Sequence, residues 1–361
     1  MRIAVLHGEV AADAGQDERD ALVQAESVSE GLAALGHEPL ILPVSLNLEE
    51  AVRSLGALRP AMAFNLAETL AGRGSLIHVV PSLLDSLKIP YTGAGTVAML
   101  LTSNKVLAKR RLESAGLPTP DWFTIPDMNE NRSVRGPWLV KSVWEHASVG
   151  LDEDSVIPDA DRERLRRELE TRRDALGGEG FAEAFIEGRE FNLSLLAGKS
   201  DPDDPAETDR RRSGGPGPGT RKGPEILPPA EIRFDAYPPG KIRVVGYRSK
   251  WEEESFEFAN TPRSFDFPEA DALLIGRLRE LALACWRLFE LRGYARVDFR
   301  VDREGHPWIL EVNANPCLSP DAGFRAATVR AGLSFTEVLG RILDDTPRGA
   351  IVDPKSFNPT P

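Results

Sequence analysis

Residues 295–313 restrict the fold of this chain more than any other stretch. Ala295-Arg296-Val297-Asp298-Phe299-Arg300-Val301 alternates with period two, so Val297, Phe299 and Val301 face one side of a strand and Arg296, Asp298 and Arg300 the other. Asp302-Arg303-Glu304-Gly305 is a turn signal. The return run Trp308-Ile309-Leu310-Glu311-Val312-Asn313 puts Trp308, Leu310 and Val312 on one face, and Ile309, Glu311 and Asn313 on the other. A four-residue loop opposes position 301 to 306 and brings Arg296, Asp298, Glu311 and Asn313 to one face of an antiparallel hairpin. Burying two carboxylates, a carboxamide and a guanidinium is costly unless they bind something. Hard oxygen donors suit Mg²⁺, which commonly takes few protein oxygens plus substrate phosphates. Arg296 would then meet a phosphate or an oxyanion. The alternative is a solvated hairpin face with an Arg–Glu surface pair.

The first ninety residues follow a different pattern. Residues 3–6 form a short apolar run, and residues 20–35 carry Leu22, Val23, Val28, Leu32 and Leu35 at helical spacing before Gly36. Residues 39–44 and 61–66 are apolar runs suited to buried parallel strands, and residues 77–87 look helical. This alternation predicts an open βαβ sheet. A second unit starts near Thr102. It holds a helix over 105–115 ending at Gly116, a strand at 138–141, a charged helix at 162–176, and strands at 181–186 and 190–196. Residues 199–224 are rich in Asp, Pro, Arg, Ser and Gly and cannot bury enough apolar surface to offset their ordering entropy, so they read as a flexible excursion between strands. A long amphipathic helix over 272–291 closes at Gly293.

Composition narrows the function. The net charge of −12 disfavours a non-specific grip on nucleic acid or an anionic membrane. No apolar run reaches the eighteen or so residues of a membrane span, and the N-terminal apolar run is too short for a signal peptide. Cys285 and Cys317 are the only cysteines, Cys285 on a helix as a buried thiol, which fits a reducing cytoplasm.

Arg296-Val297-Asp298-Phe299 followed by Leu310-Glu311-Val312-Asn313 resembles the C-terminal core of ATP-grasp ligases, in particular the D-alanine–D-alanine ligase branch. Pro90-Tyr91-Thr92-Gly93, Asn104-Lys105, Ala115-Gly116-Leu117-Pro118-Thr119-Pro120, Leu139-Val140-Lys141, residues 183–191 and Ser249-Lys250-Trp251 resemble further family segments in the same order. The resemblance spans about residues 1–346. It implies an α/β chain, α+β in its ATP-grasp part: an N-terminal open parallel-sheet domain (1–92), an ATP-grasp small lobe (93–181), a catalytic lobe (182–346) with the insert 199–224, and a tail (347–361).

The resemblance also implies roles. Lys105 and Lys141 would neutralise the α- and β-phosphates of ATP. Glu183, with the backbone around Ala184 and Ile186, would read the adenine edge, and Glu190 would accept from ribose hydroxyls. Lys250 would contact the γ-phosphate. Asp298, Glu311 and Asn313 would hold two Mg²⁺ ions, with Mn²⁺ as an alternative, and Arg296 would stabilise a tetrahedral oxyanion. Residues 145–150, with Ser148, occupy the place of the family's lid over the phosphates. The implied reaction joins a small carboxylate to an amine through an acyl phosphate, releasing ADP and phosphate, in a cytoplasmic protein that could be a homodimer.

The amino-acid half departs from the family pattern. A His-Gly followed by Gly-Glu-Asp-Gly is replaced by Asn65-Leu66-Ala67-Glu68-Thr69-Leu70-Ala71-Gly72. Glu18 is the nearest match to the family's N-terminal glutamate. Ala147, Trp251, Cys317 and Ala322 stand where the family has a serine, a tyrosine, a glycine and a serine. Glu68 and Asp321 could meet an amine, so the expectation is a substrate other than D-alanine. A nicotinamide enzyme is disfavoured because Gly93-Ala94-Gly95 does not complete Gly-x-Gly-x-x-Gly, and no P-loop motif is present. A non-catalytic nucleotide-binding regulator on the same fold, or another ATP-grasp reaction, stays open.

Overall fold

The computed structural model describes residues 1–129, 134, 136–144, 151–199 and 223–347. β1 (Arg2–Gly8) pairs in parallel with β2 (Glu38–Val44) and β3 (Met62–Asn65), in the order β2-β1-β3. Helix α1 (Gln16–Ala34) starts four residues before the apolar spacing does, with Asp17 and Glu18 in its first turn, where carboxylates complement the helix dipole. Its Val28 and Leu32 pack with Ile3, Val5 and Phe64. Helix α2 (Leu48–Leu58), which the sequence reading does not pick out, is capped by Asn47 Oδ1 accepting from Glu50 N at 3.3 Å. Helix α3 (Val79–Leu87) follows.

Two further helices, α4 (Thr96–Ser103) and α5 (Lys105–Ser114), meet at Asn104, whose side chain accepts from Leu107 N at 2.8 Å. Met99, Ala108 and Leu112 join one core with Leu193, Val297, Phe299 and the helix Ala272–Leu288. Cys285 of that helix is fully buried, and burial pushes its thiol up to about 12, so it packs as a small apolar group.

Two antiparallel sheets carry the rest. β4 (Trp122–Phe123), β5 (Trp138–Ser142), β6 (Val156–Ile157) and β7 (Gly180–Ala184) form a four-stranded sheet in the order β4-β7-β5-β6. Helix α6 (Arg162–Thr171) covers it with Leu165 and Leu169. The larger sheet contains β8 (Gly188–Leu196), β9 (Glu225–Ile226), β10 (Ala230–Ile232), β11 (Arg263–Ser264), β12 (Tyr294–Asp302) and β13 (Pro307–Asn313). Its order is β11-β10-β8-β12-β13, with β9 also on β8. A Cβ on Gly188 would lie 1.9 Å from Val301 O, so only glycine lets β8 close on β12 there. Leu196 pairs with Glu225 and Leu195 with Ile226, so the strands flanking the 199–224 insert are antiparallel neighbours. Residues 200–222 of that insert lie outside the described residues, as does the tail from 348.

The hairpin β12–β13 differs from the expected register. Val301 opposes Pro307, not position 306, and the register shifts again between Asp298 and Phe299. Beyond this bulge Asp298 opposes Glu311 and Arg296 opposes Asn313, so these four residues do share a face. The bulge exchanges Ile309 and Leu310. Ile309, expected on the polar face, is fully buried in the core, and Leu310, expected on the apolar face, lines the cleft. Burying an Ile side chain is worth about 1.5–3 kcal/mol, which favours this register. Bulges commonly re-aim side chains beside functional sites.

Candidate active site

A cleft lies between the two antiparallel sheets. The small sheet lines it with Leu139 and Lys141 on β5 and Glu183 and Ala184 on β7, continued by Phe185 and Ile186. The large sheet contributes Glu190 and Asn192 from β8, Arg296, Asp298 and Arg300 from β12, and Leu310 and Glu311 from β13. Lys105, at the start of α5, and Lys250, on the short helix Arg248–Trp251, enter from the ends. Alternation on paired strands explains the clustering: Asp298 opposes Glu311 on one side and Asn192 on the other.

Arg296 grips Asp298 with two hydrogen bonds, Nε to Oδ1 at 2.7 Å and Nη2 to Oδ2 at 2.8 Å, and Asn192 Nδ2 donates to Oδ1 at 2.8 Å. Lys105 Nζ stands 4.0 Å from Glu311 Oε1. Glu190 Oε2 is held by Arg300 Nη2 at 2.9 Å, and the Arg300 guanidinium lies over Phe185 and Phe234. Glu183, 1% exposed, receives Lys141 Nζ at 3.0 Å on Oε2 and Lys109 on Oε1. Burial alone would raise the Glu183 pKa, but the two lysines outweigh it and hold the carboxyl below its ordinary value. Lys250 is pulled below the usual lysine value by burial, then by Arg296, against the carboxylates of Glu311 and Asp298.

The donor set fits Mg²⁺. Asp298 and Glu311 are cross-strand neighbours, and although Arg296 and Asn192 engage both Asp298 oxygens, Oδ2 accepts one hydrogen bond and keeps a lone pair. Asn313 Oδ1 accepts from Asn315 N at 2.9 Å and keeps a second lone pair. Among the described residues no group of three or more His, Cys, Asp or Glu forms a closed cage.

Helix α1 adds a second cluster beside the cleft. Asp20 and Gln24 of α1 reach the loop after β13. Asp20 accepts from Cys317 Sγ at 2.9 Å and Ser319 Oγ at 2.7 Å, and Gln24 accepts from Leu318 N at 2.9 Å. Gln24 Nε2 donates to Glu68 Oε1 at 3.2 Å. Burial, then the charge of Asp20, pushes Glu68 up to about 7, against the opposing pull of Gln24, Arg296 and Lys250.

The remaining sequence-derived positions are placed less centrally. Glu18 lies on α1 with its carboxylate against Gly72, and is not among the cleft-lining residues. Asp321 is exposed, and it is its backbone oxygen that accepts from Arg263 Nη1, at 3.1 Å. The Ala184 N–H donates to Asp121 O at 2.8 Å and so is already engaged. Ser148 and the rest of 145–150 lie outside the described residues. Sequence reading missed Lys109, Asn192, Arg300, Asp20 and Gln24 as site residues. Asn192 had a signal, since it shares a strand face with Glu190.

Residues 231–344 match the family model described as D-ala D-ala ligase C-terminus. A D-alanine–D-alanine ligase of Aquifex aeolicus is 28% identical over 347 residues, covering 95% of this chain and 100% of the relative. Along nearly its whole length the chain is similar to D-alanine–D-alanine ligases. An uncharacterized protein of Sinorhizobium fredii is 28% identical over 328 residues, covering 89% of this chain and 86% of the relative. The fold is that of the D-alanine–D-alanine ligase from Bacillus anthracis complexed with ATP, with a TM-score of 0.65 and 21% identity over 96% of this chain and 97% of that one. Within this chain the matched region holds Lys250, Arg296, Asp298, Glu311 and Asn313, while Lys105, Lys141, Glu183 and Glu190 precede it. No described helix is long and apolar enough to cross a membrane.

Proposed function

We propose that this protein joins a small carboxylate to an amine at the expense of ATP, through an acyl phosphate, releasing ADP and phosphate. The observation that carries the reading is the cross-strand pair Asp298–Glu311 beside Arg296, Lys250, Lys105 and Lys141, all on one cleft. Carboxylates are poor electrophiles at neutral pH, and phosphorylation supplies a leaving group. Lys105, Lys141 and Lys250 neutralise phosphate oxygens, which concentrates charge stabilisation where it develops. Arg296, held flat against Asp298, presents its remaining N–H groups to the oxyanion formed when the amine attacks. Asp298, Glu311 and Asn313 would hold two Mg²⁺ ions, which supply Lewis-acid polarisation of the transferring phosphoryl group. Glu190, fixed by Arg300, accepts from the ribose hydroxyls.

The amine side favours a substrate other than D-alanine. Asp20, Glu68 and Gln24 present two carboxylates and an amide, and the Cys317 thiol and Ser319 hydroxyl are turned onto Asp20. This wall suits an ammonium, and the cations that act on Glu68, Arg296 and Lys250, belong to the cleft beside it. A site whose polar groups are left unpaired rejects the substrate that lacks their partners. Phosphate release screened over amino acids, dipeptides and small amines tests the reading. ADP and phosphate are the expected products; AMP and pyrophosphate would show adenylation instead. With D-alanine alone as substrate, dipeptide formation at about 1 s⁻¹ or faster, an ordinary enzymatic rate, would refute the substrate part only.

A further inference from the structure

Lys109 is a charged group that the reaction as proposed does not use. It is 1% exposed, yet its nitrogen has three acceptors: the Glu183 carboxylate, Thr119 Oγ1 at 2.8 Å and Pro120 O at 3.5 Å. Thr119 Oγ1 itself donates to Ile309 O at 2.9 Å, so its single proton is committed and Lys109 must be the donor to it. Three acceptors match the three N–H groups of an ammonium. The anchorage of this lysine lies outside the small sheet. It comes from α5 and from the 117–120 turn, which is fastened to β13 because Ile309 N donates to Pro118 O at 2.9 Å. Lys141 differs in both respects. It sits on β5, within the same sheet as Glu183, and its side chain lines the cleft.

We propose that Lys109 is a positioning residue: it keeps Glu183 an anionic acceptor for the exocyclic amino group of adenine when Lys141 leaves that carboxylate for the phosphates, and so sets the preference for adenine over a purine bearing a carbonyl there. The inference rests on the cleft binding ATP. Its logic is charge counting. With both lysines in place, one buried carboxylate faces two cations, so one of them can depart and leave a neutral pair. Without Lys109, departure of Lys141 would strand a buried carboxylate with no counter-charge, which is strongly unfavourable. Glu183 would then retain Lys141 or take up a proton, and either outcome occupies the oxygen that the amino group needs. A purine carbonyl at the same place sets acceptor against acceptor, an arrangement that discriminates by repulsion.

Titration calorimetry of ATP and of inosine triphosphate, each with Mg²⁺, on the full chain and its variants tests this. The parent should prefer ATP by about tenfold or more, as expected where a buried acceptor needs its donor. Lys109→Met should reduce that preference about fivefold or more, chiefly by weakening ATP, and Lys109→Arg should restore most of it. Thr119→Val, which keeps the charge but loosens its aim, should fall between. Equal weakening of both nucleotides in Lys109→Met would overturn the inference and leave Lys109 a structural ion-pair partner. If that variant does not fold, an unchanged preference in Thr119→Val overturns it. A parent that binds neither nucleotide would instead refute the ATP reading of the cleft on which the inference rests.

Discussion

Replacing Glu68 by Gln will stabilise this protein at pH 8 and leave its stability near pH 4 unchanged. Burial, then the charge of Asp20, raises the Glu68 carboxyl from 4.5 to about 7. A tenfold change in an ionisation constant corresponds to about 1.4 kcal/mol, so the ionised native state is disfavoured by about 3 kcal/mol. The direction follows from the raised native pKa. Below 4.5 the group is protonated in both states and contributes no penalty. Between 4.5 and about 7 the unfolded chain ionises first, so stability falls as pH rises. Above about 7 the penalty is complete. Glutamine keeps an oxygen for the Gln24 amide, now 3.2 Å from Glu68 Oε1, and cannot ionise. Urea unfolding of parent and variant at several pH values isolates the effect, because titrating groups not coupled to Glu68 cancel in the difference. The stability gap should open from near zero at pH 4 to about 3 kcal/mol at pH 8. A gap that stays within about 0.5 kcal/mol across the range would refute the burial argument, since that is the ordinary scatter of a neutral surface change. The same coupling predicts that a cationic amine bound at Glu68 lowers its pKa and narrows the gap.

Glu311→Gln and Asp298→Asn should each lower ligase turnover about a hundredfold or more by removing a hard anionic ligand, and turnover within about threefold of the parent would show these carboxylates to be a solvated face. Asp298→Asn should in addition destabilise the fold by about 1–3 kcal/mol in denaturant, because an amide then faces Arg296 Nη2. Joining Gly198 to Gly223 closes β8 to β9 with the four-residue loop Ala197-Gly198-Gly223-Pro224, since Leu196 and Glu225 are paired neighbours. That shortened chain should fold and retain turnover by the phosphate-release assay; lost turnover in a folded protein would make the insert part of the site.

Local chemistry wrote the main elements of this fold into the sequence. Period-two alternation over 295–301 and 308–313 placed Asp298, Glu311, Arg296 and Asn313 on one face of a hairpin, because side-chain direction follows parity wherever a strand is not bulged. Apolar runs separated by helical spacing likewise announced an open parallel sheet, whose order β2-β1-β3 only the tertiary structure gave. Helices α2 and α4 are not legible as long periodic runs: α2 starts at the Asn47 cap, and α4 is a short helix that packs Ala98 and Met99 into the core. Tertiary structure alone decided the rest of the site. The bulge that turns Leu310 to the cleft and Ile309 to the core answers to the shape of a core assembled from distant segments. The approach of Asp20 and Gln24 to Cys317 and Ser319 joins residues nearly three hundred positions apart. The ion pairs of Lys109 and Lys141 on Glu183 cross from one helix and one strand to another strand. No spacing rule within a chain encodes such meetings, because they arise only when separately formed elements bury their apolar faces together and the polar groups between them must find partners.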